Sequence, residues 1–311
     1  VDEIVDGIRR VTLPLPTRPG HVHAYLLPGG DGFTLVDTGL GLPDASERWQ
    51  QVLAELGAPV VAILVTHFHP DHVGAARDVA ELTGVTVRQG RLDHAQCVRA
   101  WGSAGWPHVI ASWFNRHGVP ETVTRELVEQ GSLYAPFIRF AADTLPVEPG
   151  DRIDGWEVVA APGHADGQLC LLQDGILVAA DHVLDPISPT VGLWPESRPD
   201  PLGDYLAALE RTIELAPRLA LPGHGDPIAD PVGRARALVA HHRERLDAAE
   251  AGLSLRPRTA YDLSYPLFGP ELKPGARRFA VAETLSHLER LVREGRAARR
   301  EDDGIVAYTS S

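Results

Sequence analysis

A chain of 311 residues with 44% hydrophobic content is long enough for one large core and a smaller appended unit. Its net charge of −13 excludes a protein that coats nucleic acid or anionic membrane by bulk electrostatics. No apolar run reaches the length of a membrane span, and no basic stretch leads into a hydrophobic one at the start, so the expected compartment is the cytoplasm. Cys97 and Cys170 stand without a paired motif and read as reduced thiols there.

Residues 8–15, 24–27 and 32–36 read as the short strands of a meander, separated by turns at Gly29-Gly30 and Asp31-Gly32. Asp37 closes the third strand, in Val36-Asp37-Thr38-Gly39, while His21 and His23 precede the second and read as exposed. A helix is expected over 42–56, with Asp44 and Ser46 serving its first turn and Gly57 as its stop. The run 60–65 is apolar throughout, as a fully buried strand should be. It delivers Thr66-His67-Phe68-His69-Pro70-Asp71-His72, three imidazoles and a carboxylate within six residues, at a strand end from which a tight loop can aim them at one point. Four such donors exceed what one open catalytic zinc takes from a single loop, so two metals are implied. A helix over 71–83 and a strand over 85–88 continue the alternation of a layered α/β fold.

Residues 94–140 differ in kind. They are helical in pattern and rich in aromatic residues, namely Trp101, Trp106, Trp113, Phe114, Tyr134, Phe137 and Phe140. Two readings stand: an apolar lid over a substrate, or a helical subdomain or dimer face with its own core. Strands resume at 156–160, 168–172 and 176–179, beside the further candidates His164 in Pro162-Gly163-His164 and Asp181 in Ala179-Ala180-Asp181-His182. The proline-rich loop 184–198 carries Trp194 and can line a pocket. After a helix over 201–215, a strand over 218–221 delivers His224 in Pro222-Gly223-His224-Gly225. Helices over 231–251, 259–268 and 276–294 and a hairpin over 295–308, with Asp303-Gly304 in its turn, form a winged-helix pattern. Residues 240–311 hold 12 basic and 11 acidic side chains, so the tail lacks the basic face of a sequence-reading DNA binder.

In this order the motifs resemble the metallo-β-lactamase superfamily, whose HxHxDH signature stands intact as His67, His69, Asp71 and His72, followed by His164, Asp181 and His224. The resemblance implies an α/β fold, an αββα sandwich over 1–231 with a helical aromatic insertion at 94–140. A linking helix and a winged-helix-like domain at 232–311 would follow, similar to the tail of the lactamase-beta-like branch. It further implies one metal on His67, His69 and His164, a second on Asp71, His72 and His224, Asp181 bridging both, and Asp37 as an outer carboxylate behind the ligands. Two Zn²⁺ are the expected cofactors, with iron or manganese able to use the same donors. Trp101, Trp106, Trp113 and Trp194 are the candidate substrate contacts.

Two ions about 3.5–4 Å apart can hold a bridging hydroxide against a carbonyl, with Asp71 orienting it or passing a proton to the leaving group. An aromatic lid favours a small apolar acyl substrate, as an ester, thioester or lactone. Three alternatives stand beside this hydrolase. A single-stranded RNA endonuclease would call for cations near the site, where Arg198 is the one obvious basic residue of the Trp194 loop. A sulfur dioxygenase would hold a single Fe²⁺ on His67, His164 and Asp181. A β-lactam hydrolase uses the same chemistry, but the chain shows no secretion signal. Nucleic acid is the disfavoured partner, a homodimer is compatible with the aromatic region, and no membrane partner is expected.

Overall fold

The computed structural model describes the backbone of residues 1–311 and every side chain except those of residues 132–134. Tyr134, counted above among the aromatic residues, therefore lies outside the described side chains. The chain divides into two compact units: Val1–Ser103, Tyr134–Ser188 and Ala216–Pro231 form the first, and Ala104–Leu133, Pro189–Leu215 and Val232–Ser311 the second.

In the first unit β1 (Asp2–Val5), β2 (Ile8–Pro14), β3 (His21–Pro28) and β4 (Phe33–Val36) form an antiparallel meander. After α1 (Ala45–Glu55), β5 (Val60–Val65) adds parallel to β4. Short helices α2 (Pro70–Val73) and α3 (Ala76–Thr83), β6 (Val87–Gly90), α4 (Arg91–Trp101) and β7 (Leu145–Val147) complete a seven-stranded sheet in sequence order. The second sheet has the order β12-β11-β10-β9-β8. It is built from β8 (Arg152–Ile153), β9 (Trp156–Ala160), β10 (Leu169–Gln173), β11 (Ile176–Ala180) and β12 (Leu219–Pro222).

The apolar run in β5 is explained by cover on both faces. Ile63 and Val65 join one core cluster with Leu35, Trp49 of α1 and Val79 of α3. Ala62 and Leu64 point the other way, into a cluster with Val36 and with Val158, Leu171, Val178 and Leu221 of the second sheet. Helices thus cover one face of the first sheet and the second sheet covers the other, as a strand with no polar face requires. No helix is long and apolar enough to cross a membrane among the described residues.

Two local expectations need correction. The single helix over 71–83 is broken at Gly74-Ala75, because distant loops take its backbone groups: Ala75 N–H donates to the Gly39 carbonyl at 2.9 Å, and the Gly74 carbonyl accepts from Arg139 N–H at 2.7 Å. A Cβ on Gly74 would stand 2.4 Å from the Pro70 carbonyl oxygen and 2.8 Å from Gly41 N, so only glycine admits this crossing. The helix over 42–56 begins at Ala45, and Asp44 makes no side-chain cap because its carboxylate is held by Arg48 Nε at 2.8 Å.

The second unit contains α5 (Trp106–Arg116), α6 (Glu121–Tyr134), α7 (Pro201–Leu215), α8 (Pro231–Ala251), α9 (Ala260–Phe268) and α10 (Pro274–Arg293). A hairpin of β13 (Ala297–Asp302) and β14 (Ile305–Ser310) closes the chain. Thr259 and Asp262 cap α9 reciprocally, each side chain accepting the other's backbone N–H at 3.1 Å. Asp303 and Gly304 take φ of 47° and 78°, the left-handed pair that matches a two-residue turn to twisted strands. Every residue of α10 from Ala280 to Leu288 is buried, so this helix is the unit's core element.

Candidate metal centre

The site is built from the carboxyl ends of β4, β5, β9, β11 and β12. Thr66 follows β5, and its N–H and hydroxyl both donate to the Asp37 carboxylate, at 2.8 Å and at 3.0 and 2.8 Å. Asp37 itself sits at φ 62°, a costly left-handed position for a residue other than glycine. The fold holds it there because its carboxylate serves two elements at once: it also accepts His72 Nδ1–H at 2.7 Å.

The imidazoles share one logic. His72 commits Nδ1–H to Asp37, so Nε2 is turned inward and faces Asp181 Oδ1 at 3.4 Å and Asp71 Oδ2 at 3.9 Å. His224 commits Nδ1–H to the His21 carbonyl at 2.7 Å, leaving Nε2 at 3.3 Å from Asp71 Oδ2 and 3.4 Å from Asp181 Oδ2. The Thr66 hydroxyl already donates to Asp37, so at 3.0 Å it accepts His67 Nδ1–H, and His67 Nε2 is turned inward. An outer hydrogen bond that fixes the tautomer and aims the inner nitrogen is what metal-ligating histidines require. The fourth and fifth imidazoles meet directly, His69 Nδ1 lying 2.8 Å from His164 Nε2, and His164 Nε2 is 3.5 Å from Asp181 Oδ2.

Three overlapping donor groups result: His67, His69 and His164; His67, His72 and Asp181; and Asp71, His72 and His224. Within each, one atom per residue lies within 4.8 Å of the others. His67 Nε2, His72 Nε2 and Asp181 Oδ1 are buried without a hydrogen-bond partner, a cost that a cation among them would remove. The electrostatics agree. Burial opposes charge on Asp181, yet His224 and His72 hold its carboxyl well below the ordinary range. Asp71 is likewise held down to about 2, against burial, by His72 and His224. Burial disfavours charge on His224 too, but Asp181 and Asp71 raise it to about 10. His69, with burial and His164 both acting against protonation, is lowered to about 3. A cation among them would displace the protons that the carboxylates hold on His72 and His224, and imidazole nitrogen beside carboxylate oxygen is then a donor set suited to zinc and to related divalent ions.

Several contributors are not visible in the sequence. His23, expected to be exposed, is buried, because its N–H and ring clasp the loop that carries His224: the backbone N–H donates to the Gly223 carbonyl at 2.7 Å, and Nε2 lies 2.9 Å from the Gly225 carbonyl. Asp93 is fully buried beneath the metal loop, accepting Phe68 N–H at 3.0 Å and Gln89 Nε2 at 2.6 Å. Burial pushes its carboxyl up to about 7 despite those bonds. Neither residue belongs to a recognisable motif.

The candidate substrate contacts fall in both units. Trp101 belongs to the first and donates its Nε1–H to the Phe68 carbonyl at 2.7 Å, so it braces the loop between His67 and His69. Trp106, Trp113 and Trp194 belong to the second. There Trp194 packs against Phe114 and Phe279, with ring centroids 5.8 Å apart in each case, and Trp113 lies 4.5 Å from the His117 ring. Trp113 also lines an open groove with Val109, Pro195 and Ile305.

Asp37→Asn should weaken metal binding by roughly 10–100-fold, the usual cost of an outer partner, because an amide keeps only one of the two acceptor oxygens that the Thr66 N–H and His72 Nδ1–H use separately. Competition against a chelator measures this. Unchanged affinity would reduce Asp37 to a cap for the turn into Gly39.

Comparison with known proteins agrees with this geometry. Residues 17–224 match the metallo-beta-lactamase superfamily, and residues 246–311 match the metallo-beta-lactamase-like C-terminal domain. A metallo-beta-lactamase family protein from Thermus thermophilus superposes with a TM-score of 0.86 at 36% identity, covering 99% of each chain. "Probable metallo-hydrolase YqjP" of Bacillus subtilis is 28% identical over 93% of this chain and 93% of its own. An atrochrysone carboxyl ACP thioesterase of Claviceps purpurea is 22% identical over 90% of this chain and 78% of its own. With the family match spanning most of the chain and the donor pattern in place at its strand ends, the protein belongs to the metallo-beta-lactamase superfamily.

Proposed function

We propose that the protein is a binuclear metal-dependent hydrolase that splits a small apolar acyl thioester or ester into its acid and its thiol or alcohol. The observation that carries this reading is the convergence of seven donors in overlapping groups, with three imidazoles locked by outer hydrogen bonds. His67, His69 and His164 would hold one ion, Asp71, His72 and His224 a second, and Asp181 both, zinc being the ion that fits this set best. Such ions, when bound, supply Lewis acidity and a water that is nucleophilic at neutral pH.

The chain's own residues do the rest. Asp181, within 3.5 Å of both His164 and His224, sets the separation of the two groups. Asp71, a carboxylate at neutral pH and the more exposed of the two inner acids, takes a proton from the attacking water and returns it to the leaving sulfur or oxygen. Two further observations support an acyl substrate. One relative is named for thioester cleavage. In addition, the basic residue that could have met a phosphate, Arg198, has its Nε 3.3 Å from Asp204.

We read residues 232–311 as a linking helix and a winged-helix-like domain that does not bind nucleic acid. Several of its charges are matched within their own unit: Arg290 with Asp200 and Glu294, Arg296 with Asp247 and Glu250, Arg299 with Glu289, and Glu301 with Arg116. Cations paired in this way attract a phosphate backbone less than free ones do.

The test is a panel of acyl thioesters and esters of rising chain length, with single-stranded RNA and a β-lactam alongside, on protein of defined metal content. Thioester hydrolysis should dominate. Trp113→Ala should raise KM for long acyl chains about 10-fold and leave a short activated ester unchanged, the loss expected for one apolar contact. RNA cleavage without acyl hydrolysis would replace this reading with a nuclease.

A further inference from the structure

A second cluster of ionisable side chains lies in the core of the second unit, where the reaction has no use for it. Glu283 and His287 stand four residues apart on α10 and so share a face, and His242 meets them from α8. All three are buried, at 7%, 2% and 0% exposure, and one donor atom from each lies within 4.8 Å of the other two. His287 Nδ1 is 2.7 Å from the Glu283 carbonyl, which can only accept, so Nδ1 carries the proton and Nε2 the lone pair. That Nε2 lies 3.3 Å from His242 Nδ1. Two donors on one tetrahedral ion at about 2.0–2.1 Å stand roughly 3.3–3.4 Å apart.

With no ion present the two rings meet only through a hydrogen bond from His242 Nδ1 to the lone pair on His287 Nε2, at a separation that a shared ion fits equally well. Glu283 is 7% exposed, and a buried carboxylate is normally paired or bound to metal. The one nearby cation, Arg245, is drawn off: it donates to the Leu267 carbonyl, and its guanidinium lies 4.4 Å above the Phe268 ring.

We infer that His242, Glu283 and His287 form a further divalent-metal site, of zinc-like preference, that clamps α8 to α10. The Nδ1–H of His287 held by a backbone carbonyl is the outer bond expected of a ligating histidine. Two histidines and a glutamate leave one coordination position for water, and it is the burial of all three side chains between α8 and α10 that makes the role a structural one.

The test starts from a chain whose catalytic centre is disabled by His69→Ala and Asp181→Ala. After dialysis against zinc and desalting it should retain about one zinc per chain at this cluster beyond any held by the remaining catalytic donors, and cobalt in its place should give tetrahedral absorption bands. Adding Glu283→Gln, which keeps the shape but removes the anionic donor, should lower the content by that one ion and abolish the rise in melting temperature that zinc produces. The same substitution in the otherwise native chain should also lower metal content by one per chain while acyl hydrolysis at saturating zinc is unchanged. That arm decides the matter if the disabled chain does not fold. Equal metal content and equal melting with and without Glu283→Gln would overturn the site and leave a metal-free polar core. Because hydrolysis is read separately, failure of the acyl substrate assignment would not be mistaken for failure of this one.

Discussion

His69→Ala is expected to cost the protein one of its catalytic ions and more than about 100-fold in hydrolysis, since loss of an outer partner alone costs 10–100-fold. The geometry makes the effect selective. His69 Nδ1 sits 2.8 Å from His164 Nε2, so its removal opens the group formed with His67 and His164. The group of Asp71, His72 and His224 is untouched, because its members are oriented from Asp37 and His21. Metal content should therefore fall by about one ion, and the protein should stay folded, with a change near 1 kcal/mol, as is usual for a side chain that is not core packing. Elemental analysis and steady-state hydrolysis on the same preparation provide the check. Full activity with full metal would contradict the assignment, and one iron with no zinc would move the chemistry to oxygen activation.

What the sequence shows and what it hides follow from the range of the forces involved. The donors from His67 to His72 are legible because a local loop must carry them, and the run in β5 is legible because cover on both faces leaves no polar position. The turn at Asp303-Gly304 and the cap of α9 are also local, being set by left-handed backbone and by a reciprocal side-chain bond three residues apart. His23 is different. Its burial depends on Gly223 and Gly225, some two hundred residues away, and nothing near it in the chain announces them. The break between α2 and α3 is set from Gly39 and Arg139, and Asp93 is defined by the Phe68 amide it receives from another element. Helical periodicity sees none of these partners. The same limit hides the His242, Glu283 and His287 cluster, whose members look like ordinary polar positions until α8 and α10 are brought together.

Gly223→Ala should abolish metal binding at the catalytic centre while the fold survives, although no charge or ligand is removed. A Cβ on Gly223 would stand 2.4 Å from Asp181 Oδ1 and 2.9 Å from His72 Cε1, below any distance that real Cβ atoms tolerate. The backbone cannot retreat. Gly223 N–H donates to the Ala180 carbonyl at 2.8 Å, and its own carbonyl accepts His23 N–H at 2.7 Å, so the loop is pinned from both sides. His72 is no freer, because Asp37 holds its Nδ1 at 2.7 Å. The yielding part must then be the Asp181 carboxylate, which lies 3.5 Å from His164 of one donor group and 3.4 Å from His224 of the other. Rotating it away spoils both at once, and a misplacement near 1 Å at a reacting centre can cost about 100-fold in rate. Gly30→Ala supplies the control, since nothing lies within 4 Å of a Cβ there and the position is not left-handed. Metal content, hydrolysis and melting temperature of the two variants should differ in the first two and agree in the third. If Gly223→Ala keeps its ions and its rate, Asp181 does not occupy the shared position between the two donor groups.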